Sequence, residues 1–192
     1  MKKHISLLAS GLILLAGVAN AEKITDAIEN KDDWKAIEDR GFWAPKSHGL
    51  SATAGAHFFQ GNTEKIVGIT KEFDATYEFG SLYKVTVDVG NPNVSPLGKP
   101  AVYFMVDVEG DGYNWKDVIL GGGRSLIGKD PAPGEWETWT LTQTFTNGMT
   151  TVGGHAISNT DKITIVLFYN PPGQGWKARE STAFDNLTIV TP

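Results

Sequence analysis

The sequence predicts an all-β fold: one sandwich of about eight to ten antiparallel strands. Three observations carry this reading. Ser81 to Val89 alternates strictly, with Tyr83, Val85, Val87 and Val89 on one face and Lys84, Thr86 and Asp88 on the other. Glu135 to Phe145 alternates in the same way, Trp139, Leu141, Gln143 and Phe145 against Thr138, Thr140, Thr142 and Thr144. Loops rich in Gly, Pro, Asn and Asp (Gly90 to Pro100, Gly121 to Gly134, Asn147 to Thr160, Asn170 to Gly175) separate such runs at the short spacing of a sandwich.

In chain order, residues 1–21 read as a bacterial export signal. Lys2 and Lys3 precede an apolar run from Ile5 to Val18, and Val18 to Ala21 offers small residues for cleavage after Ala21. The expected mature domain, residues 22–192, is then periplasmic or secreted. No later apolar segment reaches the roughly 18 residues of a transmembrane helix. Without Lys2 and Lys3, 15 basic residues face 22 acidic ones, a net charge of −7. That balance disfavours nucleic acid or an anionic membrane as partner and suits cation binding. The absence of Cys leaves stability to the core, with a metal ion as the available staple.

Glu22 to Gly41 reads as a strand, a turn at Asn30 to Asp33, and a short helix or irregular passage, followed by an extended Gly41 to Pro45. Short strands are expected at His57 to Gln60 and Lys65 to Phe73. Ala101 to Val108 is apolar on both faces, as a central strand covered from both sides would be. Asp117 to Leu120 is short and gives way to Gly121-Gly-Gly-Arg-Ser125, which reads as a flexible loop because it lacks the Lys and helix of a phosphate-binding loop. Lys162 to Tyr169 and Thr182 to Val190 complete the set. The last carries Asp185 inside an otherwise apolar or small-polar run, where a carboxylate needs a partner.

With the strands in place, the chain resembles the galactose-binding-like jelly roll of carbohydrate-binding modules. Gln60-Gly-Asn, Ile66-Val-Gly-Ile-Thr-Lys-Glu-Phe73 and Tyr83-Lys-Val-Thr-Val-Asp-Val-Gly-Asn91 are similar to that group's turn and two following strands. Gly134-Glu-Trp-Glu-Thr-Trp-Thr-Leu-Thr-Gln-Thr-Phe145 and Ala183-Phe-Asp-Asn-Leu187 are similar to a later strand and to the closing strand. The resemblance implies a structural calcium ion held by Asp185 together with Glu29 from the first strand, in keeping with calcium's preference for carboxylate and carbonyl oxygens. The same jelly roll carries secreted, calcium-dependent cyanobacterial cyclases of indole terpenoids, which use a C-terminal Asp as general acid. That likeness extends to size, export signal and Asp185.

Asp107-Val-Glu-Gly-Asp-Gly-Tyr-Asn-Trp-Lys-Asp117 opens like a calcium loop. The EF-hand pattern wants Glu at its twelfth position, where Val118 stands, so a hairpin turn on Gly110-Asp-Gly112 is the simpler reading and a second cation site the other. Aromatic side chains stack on sugar faces while neighbouring amides and charges bind hydroxyls. Trp115 and Trp176, with Tyr113 and Tyr103, are therefore candidates for a ligand face, and Asn114 and Arg179 for its polar contacts. Trp139 reads as core. His48, His57 and His155 form no pair at ligand spacing, so no zinc site is expected, and no serine or cysteine nucleophile motif is present. Binding of a glycan or similar polar ligand without turnover is the expected function. An enzyme on the same scaffold, with Asp185 or Asp107 as an acid in an apolar pocket, is the alternative. An envelope or matrix protein is a third.

Overall fold

The structure, a computed structural model, describes residues 23–28, 31–37, 42–43, 57–60, 67–91, 100–125, 128–170 and 181–191. Eleven strands occupy them: β1 (Lys23–Asp26), β2 (Lys35–Ala36), β3 (Phe42–Trp43), β4 (His57–Gln60), β5 (Val67–Thr76), β6 (Leu82–Gly90), β7 (Ala101–Met105), β8 (Val118–Ser125), β9 (Trp136–Thr144), β10 (Lys162–Asn170) and β11 (Ser181–Val190). Two 3₁₀ turns, Lys31–Asp33 and Trp115–Asp117, join them, and no α-helix occurs among the described residues. Among those residues no helix is long and apolar enough to cross a membrane.

The strands form two antiparallel sheets. One runs β3-β4-β11-β6-β9, with β1 also paired to β11; the other runs β2-β5-β10-β7-β8. The fold is thus the expected all-β sandwich, and the surplus over ten strands comes from the two-residue pieces β2 and β3. The alternation in β6 is decisive for its facing: Tyr83, Val85, Val87 and Val89 are all fully buried. Phe145 sits at the centre of an aromatic cluster, edge-on to Tyr77 at 4.9 Å, Tyr83 at 5.1 Å and Phe104 at 5.0 Å between ring centroids. Such pairs contribute about 0.5–1.5 kcal/mol each beyond their area. Tyr77 donates its hydroxyl proton to the Met105 carbonyl at 2.8 Å, so its polar end is satisfied inside the core.

A polar clamp ties the two sheets. Asp26 of β1 accepts from Lys71 of β5 at 2.6 Å, from the Trp34 indole at 3.2 Å and from the Ile28 amide at 2.7 Å. Lys71 also lies over the rings of Trp34 and Phe73. This charge-assisted hub is worth more than a surface ion pair because most of its area is withdrawn from water.

Two boundaries depart from the sequence reading. The central strand β7 stops at Met105, and residues 106–117 form a loop. Gly121 to Gly123, expected to be flexible, lie inside β8, paired to β7 with Tyr103 opposite Gly123. A Cβ on Gly122 would lie 2.8 Å from the Ile119 Cβ, so this glycine answers to a close approach rather than to flexibility.

Strand β7 is covered on both sides, as its composition requires. Val102 and Phe104 face the main core. Ala101 and Met105 join Val118, Val166, Phe168 and Ile37 in a second cluster on the opposite face of that sheet, with Tyr103 and Tyr113 packed against it.

Candidate functional site

The loop between β7 and β8 folds back over this second cluster. Tyr113 stands edge-on to Phe168 at 5.4 Å, and Trp115 edge-on to Tyr103 at 6.2 Å. Asn114 starts the 3₁₀ turn, its side-chain oxygen accepting the Lys116 amide at 3.1 Å. Between this loop and β2 lies an open groove of about 450 Å³. Tyr113, Asn114 and Trp115 form one wall; Lys35, Ile37 and Thr70 are among the residues of the other. Trp115 is 42% exposed, unusual for so large a ring.

Four of the six residues predicted to face a ligand therefore come together: Tyr103, Tyr113, Asn114 and Trp115. Trp176 and Arg179 lie outside the described residues. Trp139 is core, 7% exposed, its indole donating to the Lys129 carbonyl at 2.9 Å. Burial pushes the Tyr113 hydroxyl up to about 12, with the nearby Tyr103 adding to the effect, and raises Tyr103 as well. The Tyr113 hydroxyl is buried with no hydrogen-bond partner. Lys35, Ile37 and Thr70 escaped the sequence reading because nothing local marks them; β2 pairs with β5, Lys35 opposite Thr70, and so brings them to the groove.

The same loop gathers three carboxylates. Asp107, Asp111 and Asp117 each place an oxygen within 4.8 Å of the others. Gly110 and Gly112, at φ +72° and +97°, supply the left-handed turns that bring Asp111 back towards Asp107. One oxygen of Asp107 accepts the Gly112 amide at 3.0 Å, and the Val108 backbone amide lies where it favours the charged form of Asp117. Asp107 Oδ1 and Asp117 Oδ2 are buried without a partner. Asp117 is only 6% exposed, and its carboxyl is raised above the ordinary range by burial and then by the charge of Asp107 and Asp111. Three acidic oxygens so arranged could hold a hard cation.

Asp185 lies elsewhere. It sits in β11 where the neighbouring strand changes from β4, which ends opposite Phe184, to β1, which begins opposite Leu187. The pairing with β6 slips at the same point, and Asn186 takes φ +49°. Asp185 is 4% exposed and accepts the Asn186 amide at 2.8 Å. Asp88, opposite it on β6, is engaged by Thr138 and by the Asn186 side chain. Glu29, its expected partner in holding calcium, lies outside the described residues.

No protein-family model matches the sequence, and no curated protein matches it. Solved structures do match. The CBM22-1–CBM22-2 tandem domain of Xyn10C from Paenibacillus barcinonensis superposes with a TM-score of 0.55 at 11% identity, over 88% of this chain and 50% of that two-module chain. The Stig cyclase Fisc from Fischerella sp. TAU, solved with an indole compound, gives 0.50 at 18% identity, over 88% and 84%. The xylan-binding CBM22-1 domain of Xyn10C alone gives 0.49 at 10%, over 89% and 95%. At these identities the likeness establishes a shared jelly-roll sandwich.

Proposed function

We propose that this protein is an exported, calcium-stabilised β-sandwich that binds a glycan, without turnover, in the groove between β2 and the β7–β8 loop. The observation that carries the reading is Trp115: an indole 42% exposed on the wall of an open groove, with Asn114 and Lys35 offering polar groups beside it. An aromatic face flanked by amide and ammonium groups is suited to a sugar ring and its hydroxyls. A groove open to solvent favours binding over catalysis, which wants a carboxylate closed off from water. The shared fold with carbohydrate-binding modules supports the class of ligand. The resemblance assigns a structural calcium to Asp185 and Glu29. On this reading Trp176 and Arg179 extend the ligand face.

The test is migration in native gels cast with soluble xylan, mixed-linkage β-glucan or galactomannan. Retardation in at least one gel is expected. Trp115→Ala should weaken it about tenfold, the loss of one stacked ring, while shifting the unfolding midpoint little, because the ring is partly exposed and outside both core clusters. Equal retardation of the variant would remove the groove from the reading.

A further inference from the structure

The three carboxylates of the β7–β8 loop are more than an acidic surface. Asp117 is more than nine-tenths buried, and its Oδ2 lacks any partner. Asp107 Oδ1 is likewise buried and unpartnered. Beside Asp107 is a cavity of about 60 Å³, also lined by Thr70 and Thr164, whose hydroxyls are again buried without partners. Unsatisfied oxygens of this kind are expensive to keep inside a fold, more so when charged. Among the described residues none of the three carboxylates has an ion-pair partner within 4 Å; Lys71 turns to Asp26 and Asp33, and Lys35 lines the cavity with its ammonium beside Gly112. Asp107, half-buried, is fixed by one oxygen on the Gly112 amide and presents the other, and Asp117 presents Oδ2. A bound cation would remove the repulsion and satisfy the orphaned oxygens together.

From these observations we infer that Asp107, Asp111 and Asp117 bind a calcium ion that orders the loop carrying Tyr113, Asn114 and Trp115. All-oxygen donors exclude soft transition metals. Donors drawn from an irregular loop, with water to complete the shell, suit calcium's six to eight flexible positions better than magnesium's strict octahedron. This site is separate from the one assigned to Asp185 and Glu29. Asp111 connects it to function, because it belongs both to the carboxylate group and to the groove lining. That calcium would thereby prepare a ligand face rests on the glycan-binding reading; the site and the ordering of the loop do not.

Terbium, a luminescent stand-in for calcium, tests the inference on the mature chain. Excitation through tryptophan should give saturable terbium emission, displaced by calcium but not by equal magnesium, and reduced in Trp115→Phe with calcium affinity unchanged by calorimetry. Asp117→Asn and the exposed Asp111→Asn should each weaken the metal about tenfold or more. Asp111→Asn guards against a folding failure at the buried position. Calcium should also slow hydrogen exchange at the amides of residues 107–117. Metal affinity unchanged in both variants would place any ion elsewhere, and unchanged exchange in that loop would end the ordering role. None of these readouts needs a glycan, so failure in the gels and failure here are distinguishable.

Discussion

Asp185 and Asp117 are both almost fully buried aspartates at breaks in a strand ladder, yet the fold treats them oppositely. At residues 185–186 the slip against β6 turns an amide onto the carboxylate, and the strand accommodates the acid within its own irregularity. At Asp117 Oδ2 is left facing two more carboxylates. Burial alone therefore does not identify a metal ligand. At Asp117 that oxygen is left without a partner, and an interior charge so placed is expensive.

The largest effect that would sharpen this contrast is at the satisfied residue. Asp185→Ala should cost about 2–3 kcal/mol in EDTA, since it removes a nearly fully buried carboxylate together with its bond to the Asn186 amide. Urea unfolding measures it, and an unchanged midpoint would mean that the bulge is held by its neighbours alone. Asp117→Asn should act in the opposite direction in EDTA, raising stability by about 1 kcal/mol because it removes a buried charge facing two others. In calcium the order should invert, wild type becoming the more stable. A variant less stable than wild type in EDTA would show that the charged form is already well accommodated.

The smallest expected effect lies on the same loop. Tyr113→Phe removes a buried hydroxyl that has no partner, so stability at neutral pH should stay within about 1 kcal/mol of wild type. Its alkaline behaviour is more informative. With the folded hydroxyl at about 12 and the unfolded one near 10, the neutral form's contribution is complete below pH 10 and is lost as pH rises to 12. Tyr113→Phe should therefore unfold at higher pH than wild type. Coincident alkaline transitions would mean that Tyr113 gains access to water before the fold is lost.

What the chain discloses before folding tracks how local each cause is. The alternation of β6 and β9 predicts their inward faces, because period two is a property of the strand itself. The uniformly apolar run from Ala101 predicts a strand covered on both sides, and β7 is so covered. Gly121 to Gly123 mislead because a strand can hold glycines when its neighbour supplies the ladder; Gly121 takes φ +75°, and at Gly122 close packing leaves no room for a side chain. The Asp107–Asp117 segment shows the limit most clearly. Its acids are visible, but the familiar calcium-loop template looks to position 118, whereas the chain's own turns at Gly110 and Gly112 bring Asp117 in at 117. The groove is half legible: Tyr113, Asn114 and Trp115 announce themselves by type, while Lys35 and Thr70 arrive only through pairing of β2 with β5.

The placement of β11 has a kinetic consequence. This strand joins β6 on one side and both β4 and β1 on the other, with Lys23 opposite Val190. Nothing in the first sheet can bridge β4 to β6 until it arrives. Contacts that close over nearly the whole chain are slow to form, so folding in the millisecond-to-second range is expected, in line with other sandwiches. Until then the edges of β4 and β6 stand open to other chains. With no cysteine to trap partial structure, the protein's most vulnerable moment is the interval before its final strand docks.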